Sequence, residues 1–207
     1  MFQDRESAGE RLAAALRDHD VAVDVVLGIP RGGLPAARAV ADEFDVPIDV
    51  VAAKKLGAPN NPELAIGAAA ADGSVWLNGD LIDRIGVSER YVETEREKAA
   101  SVAAEKEETY REGRDAPDLN GAAVAIVDDG FATGATIRAA IRAVANAGAA
   151  RIVVGVPVGP SDTAAELEDE ADEVIVVEEP AGFGAIGAHY RDFSQVSDEE
   201  AMTYLRR

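Results

Sequence analysis

Val124-Ala125-Ile126-Val127-Asp128-Asp129-Gly130-Phe131-Ala132-Thr133-Gly134-Ala135-Thr136 joins an apolar run to two adjacent carboxylates and then to a turn rich in glycine and threonine. The run is short and lacks polar alternation, the pattern of a strand buried on both faces of a parallel sheet. Ligands of such sheets bind beyond the carboxyl ends of the strands. Asp128 and Asp129 stand where this strand should end. A carboxylate accepts two hydrogen bonds at once, as the 2- and 3-hydroxyls of a ribose require. Thr133, Gly134, Ala135 and Thr136 then open a helix, offering backbone N–H groups and two hydroxyls to a phosphate.

On either side of this stretch, strands and helices alternate. Residues 7–18 form a helix entered through Ser7 and Glu10, and strands follow at Val23–Ile29 and Ile48–Ala53, separated by a helix over Leu34–Phe44. Beyond the central strand, Ala122–Asp128, come a helix at Thr133–Ala147, a strand at Arg151–Pro157, a helix at Ser161–Glu170, a strand at Glu173–Val177 and a last helix at Ser197–Leu205. Five strands, each apolar on both faces, predict a parallel α/β sheet with helices on both sides. Residues 54–121 interrupt this rhythm between the second and third strands. Residues 54–78 are rich in Gly, Ala, Pro and Asn and predict a mobile loop or small hairpin, with short strands at Leu64–Ala70 and Val75–Leu77. Ser88–Glu112 reads as a long charged helix whose thin apolar stripe suggests a solvated arm, with a dimer role left open. One domain spanning 1–207 is expected.

The net charge of -19 argues against duplex nucleic acid as a partner. With no cysteine, thiolate chemistry and disulfides are excluded. The first residues lack a signal-peptide pattern and no apolar run approaches the ~18 residues of a membrane span, so a cytoplasmic protein is expected. Dispersed acidic residues and scarce lysine suggest adaptation to high salt. Lysine occurs only at 54, 55, 98 and 106, so the adjacency of Lys54 and Lys55 invites an explanation.

Two further segments carry candidate chemistry. Gly28-Ile29-Pro30-Arg31-Gly32-Gly33 follows the first strand; arginine supplies fork-shaped donors to a diphosphate, and the glycines let the backbone approach it. Lys54 and Lys55 follow the second strand, where an ammonium suits a diphosphate, and Glu63 is a further carboxylate on the ensuing loop. Other phosphate loops fail on residue type: no lysine follows Gly134 as a Walker A loop needs, and the Gly-x-Gly-x-x-Gly fingerprint is missing. A phosphoacceptor domain would also use acidic residues at a strand end, but normally at the first strand.

Taken with these segments, Val124–Thr136 resembles the defining motif of the type I phosphoribosyltransferases. The resemblance extends over nearly the whole chain, including Lys55-Leu-Gly-Ala-Pro-Asn-Asn-Pro-Glu-Leu-Ala-Ile-Gly67 and Tyr190-Arg-Asp-Phe-Ser-Gln195. It implies a five-stranded parallel sheet flanked by helices, with a flexible loop within 54–121 and a small C-terminal hood at 178–207. It implies that Asp128 and Asp129 bind the ribose hydroxyls of phosphoribosyl pyrophosphate (PRPP), that Gly130, Phe131, Ala132, Thr133, Gly134, Ala135 and Thr136 bind its 5-phosphate, and that Arg31, Gly32 and Gly33 bind its pyrophosphate. Related transferases often carry Arg-Lys where this chain has Lys54-Lys55, so which lysine faces the site is open. By the same resemblance the catalytic set is Arg31, Lys54, Lys55, Asp128 and Asp129, with Mg2+ carried by the substrate near the two aspartates. In the C-terminal segment, Phe183 or Tyr190 is placed to stack on a base, and His189 or Asp192 to exchange a proton with it. A buried aromatic cluster accounts for the same residues equally well. The implied reaction is transfer of phosphoribose to a nitrogen acceptor, read as a purine-type nucleobase, by a protein that could pair as a homodimer; a regulator that binds PRPP without transfer is the alternative.

Overall fold

A computed structural model describes residues 1–206. Helix α1 (Arg5–Asp18) begins earlier than expected because Asp4, not Ser7, is its cap. The Asp4 carboxylate accepts from the Ser7 amide at 2.8 Å and the Ser7 hydroxyl oxygen accepts from the Asp4 amide at 3.1 Å. The chain continues through β1 (Val25–Gly28), α2 (Gly33–Phe44), β2 (Ile48–Val50), β3 (Ala53–Ala58), β4 (Asn61–Ala70), β5 (Val75–Leu77), α3 (Gly79–Ile85) and α4 (Glu89–Arg111). It then forms β6 (Ala123–Val127), α5 (Ala135–Asn146), β7 (Arg151–Val158), α6 (Ser161–Leu167), β8 (Glu173–Glu178), a 3-10 turn at Ile186–His189 and α7 (Asp198–Leu205).

The larger sheet runs β2-β1-β6-β7-β8, all parallel. Gly28 of β1 is in register with both Val50 of β2 and Val127 of β6, so the turns that follow these strands emerge at one edge. From β1 the chain goes to one side for β2 and to the other for β6, which makes the β1/β6 junction the topological switch point. Alternate residues of β6 serve opposite faces. Val124 and Ile126 pack with Ile137, Ile141 and Leu167, whereas Ala125 and Val127 belong to the cluster of Leu12, Leu16 and Leu34. Each such leucine or isoleucine contributes roughly 1.5–3 kcal/mol by burial.

Two expectations for residues 48–112 are corrected. The second strand does not run to Ala53: it ends at Val50, and the chain crosses into a separate antiparallel sheet, β3-β4-β5. Lys54 and Lys55 therefore lie on β3, paired with Ala69 and Ala68 of β4, instead of closing β2. The alanines of β4 explain how this sheet approaches α5, since Ala68 and Ala70 meet Ala135 and Ala139 with little between the backbones. The long helix α4 is more than a solvated arm. Much of it is exposed, but Ala99, Ala103 and Tyr110 are buried, and its last turns are pinned to the main sheet. Arg111 bonds Asp49 at 2.7 Å and Glu107 at 2.9 Å, while Glu107 accepts from the Ala52 amide at 2.8 Å.

This network is enclosed, with the Asp49 side chain only 7% exposed. Removing its one cation would strand two carboxylates, a change that costs about 3–5 kcal/mol for a buried pair. Arg111→Met is accordingly expected to lower the urea unfolding midpoint by a corresponding amount. A loss below about 1 kcal/mol, as for a surface ion pair, would show that the clamp is not structural.

Candidate functional site

The turn after β1 and the turn after β6 are built against each other. The Ile29 amide bonds the Val127 carbonyl at 2.9 Å, which ties the two strand ends together. Across the Pro30–Arg31 peptide, which is cis, the chain folds back so that the Gly33 amide reaches the Ile29 carbonyl at 3.0 Å. Among the described residues the amides of Arg31 and Gly32 have no acceptor and stand open at the start of α2. Gly32 is required by proximity: a Cβ there would lie 2.1 Å from Asp129 Oδ2. The site expected for pyrophosphate and the one expected for ribose are thus in van der Waals contact.

Asp128 and Asp129 differ in their partners. Asp129 Oδ2 accepts from Arg5 Nε at 2.7 Å, and both side chains are 11% exposed. Arg5 is itself held over the Phe193 ring at 3.8 Å and donates to the Ser194 carbonyl at 2.8 Å. Below the pair, the Tyr190 hydroxyl donates to the Asp129 carbonyl at 2.6 Å. Asp128 Oδ1 accepts the Asp129 amide at 2.8 Å. Burial pushes the pKa of both carboxyls up, and the charge of Asp129 pushes Asp128 further; Lys55 and Arg5 pull Asp128 back, and Arg5 pulls Asp129 back. The two titrate as a pair.

Beyond them the loop is anchored at one residue and open at the next. The Phe131 amide bonds the Val158 carbonyl at 3.1 Å and its ring is buried against Gly159. Ala132 and Thr133 are exposed, with the Ala132 carbonyl steadied by the Thr163 hydroxyl at 2.9 Å. Gly134, at φ 68°, takes the left-handed conformation that starts α5. The first amides of α5, at Ala135, Thr136 and Ile137, have no carbonyl one turn earlier and point toward this opening, an arrangement suited to an anion.

The cations come from three elements. Successive residues of β3 face opposite ways, which separates the two lysines. The charge of Lys55 acts on Asp128, while that of Lys54 acts on Lys106 of α4. Lys106 Nζ donates to the Pro30 carbonyl at 3.4 Å, immediately before Arg31. Arg31 lies 3.9 Å from Asp198 at the start of α7. Glu63 is exposed near the hairpin tip and makes no hydrogen bond or ion pair among the described residues. Arg5 and Lys106 were not among the residues singled out from sequence. Lys106 carried one usable signal, as one of only four lysines in a chain that avoids lysine; Arg5 carried none.

The phosphoribosyl transferase domain model matches residues 2–190 and so spans both turns, the lysines and Lys106. The chain belongs to the phosphoribosyl transferase family. Two curated relatives, from Mycobacterium tuberculosis strains H37Rv and CDC 1551, are named "Putative phosphoribosyl transferase" and are 41% identical over 207 residues, all of this chain. The chain spans 47% of their length, about half. Among solved structures, TT1426 from Thermus thermophilus superposes with a TM-score of 0.82 at 38% identity, covering 99% of this chain and 97% of that one. AQ2163 from Aquifex aeolicus, 13% identical with a TM-score of 0.50 over 84% of this chain and 71% of its own, shares the fold. The architecture is that of the type I phosphoribosyltransferases.

In this phosphoribosyl transferase family member the C-terminal segment crosses the site but offers its side chains unequally. Ile186 comes close to Gly130, so the 3-10 turn lies beside the turn that follows β6. Phe183 and His189 stack on each other at 5.5 Å and are half-buried. Tyr190 is only 5% exposed, enclosed by Phe2 at 5.3 Å and Phe193 at 4.9 Å, so its ring is a floor and not an open stacking surface. Asp192 is exposed and accepts the Ser194 amide at 2.9 Å, which holds its pKa down. No group of three or more His, Cys, Asp or Glu converges among the described residues. Two adjacent carboxylates fit a magnesium ion only where substrate oxygens and water complete its shell.

Because burial raises the acidic pair above the ordinary 3.8 of aspartate, the folded protein holds a proton there more tightly than the unfolded chain. The resulting stabilisation is present at low pH and is lost as pH rises through the raised values. Asp128→Asn, which keeps the acceptor for the Asp129 amide, is expected to be more stable than the parent at pH 7, with the difference shrinking toward pH 4. Urea midpoints at the two pH values check this; a less stable variant at pH 7 would contradict it.

Proposed function

We propose that the chain transfers the 5-phosphoribosyl group of PRPP to a nitrogen of a purine-type nucleobase, releasing pyrophosphate, as a cytoplasmic enzyme working in concentrated salt. The observation that carries this reading is the meeting, at the switch point of the sheet, of the acidic pair, the open start of α5 and the Arg31 turn. The spacing suits one ligand with a phosphate at one end, a diol in the middle and a diphosphate at the other.

In this reading the amides of 132–136 and the hydroxyls of Thr133 and Thr136 hold the 5-phosphate. Asp128 and Asp129 orient the 2- and 3-hydroxyls, with Arg5 keeping Asp129 aimed until the ligand arrives. The open amides of Arg31 and Gly32, with the Arg31 guanidinium and one of the β3 lysines, receive the pyrophosphate. A lone pair on the acceptor nitrogen attacks the anomeric carbon as its bond to the pyrophosphate oxygen breaks. Positive charge develops on the sugar and negative charge on the leaving group, so orientation and fixed charges supply most of the catalysis. Asp128 and Asp129 are the carboxylates that would help hold a magnesium ion brought in with PRPP, which would supply further neutralisation of the diphosphate. The β3-β4 hairpin closes over the ligand and excludes water, whose attack would waste PRPP. The acceptor enters beside Phe183, His189 and Asp192 in the hood formed by residues 178–206.

Incubation with PRPP, magnesium and a panel of purine and pyrimidine bases in concentrated potassium chloride tests the proposal by pyrophosphate release. Release is expected with at least one purine-type base, and the double variant Asp128→Asn, Asp129→Asn should lose about 100-fold or more, the scale of two charged hydrogen bonds. PRPP binding without release for any base would instead identify a non-catalytic PRPP-binding regulator.

A further inference from the structure

Of the four lysines, Lys98 lies on the outer part of α4 and pairs with Glu95 at 2.8 Å. Lys54, Lys55 and Lys106 make no ion pair among the described residues. A cavity of about 290 Å3 lies between β3, α4 and the first residue of α7, and its polar lining is Lys54, Glu105, Lys106, Thr109, Tyr110 and Asp198. Lys106 enters it half-buried and touches the carbonyl that precedes Arg31. Burial pulls its pKa down, Arg31 and Lys54 add to that pull, and Asp198 opposes it. Asp198 is the one carboxylate that reaches this group of cations from α7, and it is shared, accepting from the Tyr110 hydroxyl and lying near Arg31.

Such a grouping is unfavourable in the empty protein. Helix α4 carries glutamates at 89, 93, 95, 97, 105, 107 and 108, yet the only hydrogen bond of Lys106 among the described residues is to a peptide carbonyl. Three cations held together beside open backbone amides, in a chain of net charge -19, form a receptor for a highly charged anion.

We propose that Lys106 is a binding residue for the diphosphate, so that the inserted helix α4 completes the pyrophosphate site together with Arg31 and Lys54. This rests on the phosphoribosyl transfer reading above. An ammonium has three donors, and one engaged with the Pro30 carbonyl leaves two for phosphate oxygens. Lys55 serves the ribose side through Asp128, so the two β3 lysines have separate tasks. The 5-phosphate loop at the start of α5 takes no part in this site.

Calorimetric titration in concentrated potassium chloride, using the whole chain with PRPP, magnesium pyrophosphate and ribose 5-phosphate, tests it. Lys106→Met is expected to weaken PRPP and pyrophosphate about 10- to 100-fold, the range for a hydrogen bond to a charged group, and to leave ribose 5-phosphate within about twofold. Lys106→Arg should retain most of the affinity, and Lys98→Met should match the parent. Thermal melting checks that each variant is folded. Unchanged pyrophosphate affinity in Lys106→Met overturns the role of Lys106, as does an equal loss of ribose 5-phosphate, which would mark a structural role. If the parent binds neither PRPP nor ribose 5-phosphate, the transfer reading fails and this one with it; if it binds both, only the assignment of Lys106 is in question.

Discussion

The contact between Gly32 and the Asp129 carboxylate sets the position of everything else at the sheet edge. It exists because β1 and β6 are neighbours in register, with Gly28 opposite Val127, and because each strand is followed at once by its turn. A side chain at position 32 would force the carboxylate away, and with it Arg5, the Phe193 ring stacked on Arg5, and the Ser194 carbonyl that Arg5 holds. The N-terminal helix, the two turns and the C-terminal segment therefore meet through one carboxylate. Tyr190 closes the assembly from beneath, between Phe2 and Phe193, by bonding the Asp129 carbonyl.

Charge is segregated around this contact. Two carboxylates are kept adjacent and largely buried, and burial raises both pKa values. Beyond the Arg31 turn, Arg31, Lys54 and Lys106 gather about Asp198, a carboxylate shared with the Tyr110 hydroxyl. Neither arrangement favours folding, and each is held by neighbours that are firmly paired. On the cationic side the holding element is α4, clamped by Arg111 to Asp49 and Glu107. On the acidic side it is α1, through Arg5 and the Asp4 cap. Functional sites commonly carry such local costs, which the surrounding fold must support.

The parts of the fold legible in sequence were those governed by local pattern. Apolar runs marked all five strands of the main sheet, since a strand buried on both faces is mostly apolar, even where, as at Asp49 of β2, one position is polar. The two turns were legible because glycine, threonine and aspartate were placed by backbone chemistry. The crossing at Val51 and Ala52 was not, because both residues are buried and apolar although they lie outside the sheet. Helix α4 looked solvated because its buried stripe is mostly alanine, with Tyr110 alone adding bulk. Arg5 and Lys106 reach the candidate site only through tertiary contacts, 124 residues from Asp129 in the first case and 76 from Pro30 in the second. No local pattern encodes such pairs.

The division of labour between arginine and lysine follows from their shapes. Apart from Lys98 with Glu95, the N-terminal amine with Glu178 and the approach of His19 to Glu173, the ion pairs among the described residues are made by arginine. A planar guanidinium fixes two oxygens in one geometry and suits a permanent clamp such as Arg111 or Arg138, each of which bonds two carboxylates. An ammonium is compact, and its donors turn freely, which suits an oxygen-rich ligand that arrives in one form and leaves in another. In concentrated salt, where screening reaches about 3 Å at 1 M, exposed pairs contribute little and partly buried ones persist. A chain that builds its enclosed pairs from arginine and leaves three of its four lysines unpaired near the Arg31 turn keeps its scaffold insensitive to the anion it would bind, so that ligand charge is met by groups on which the fold does not depend.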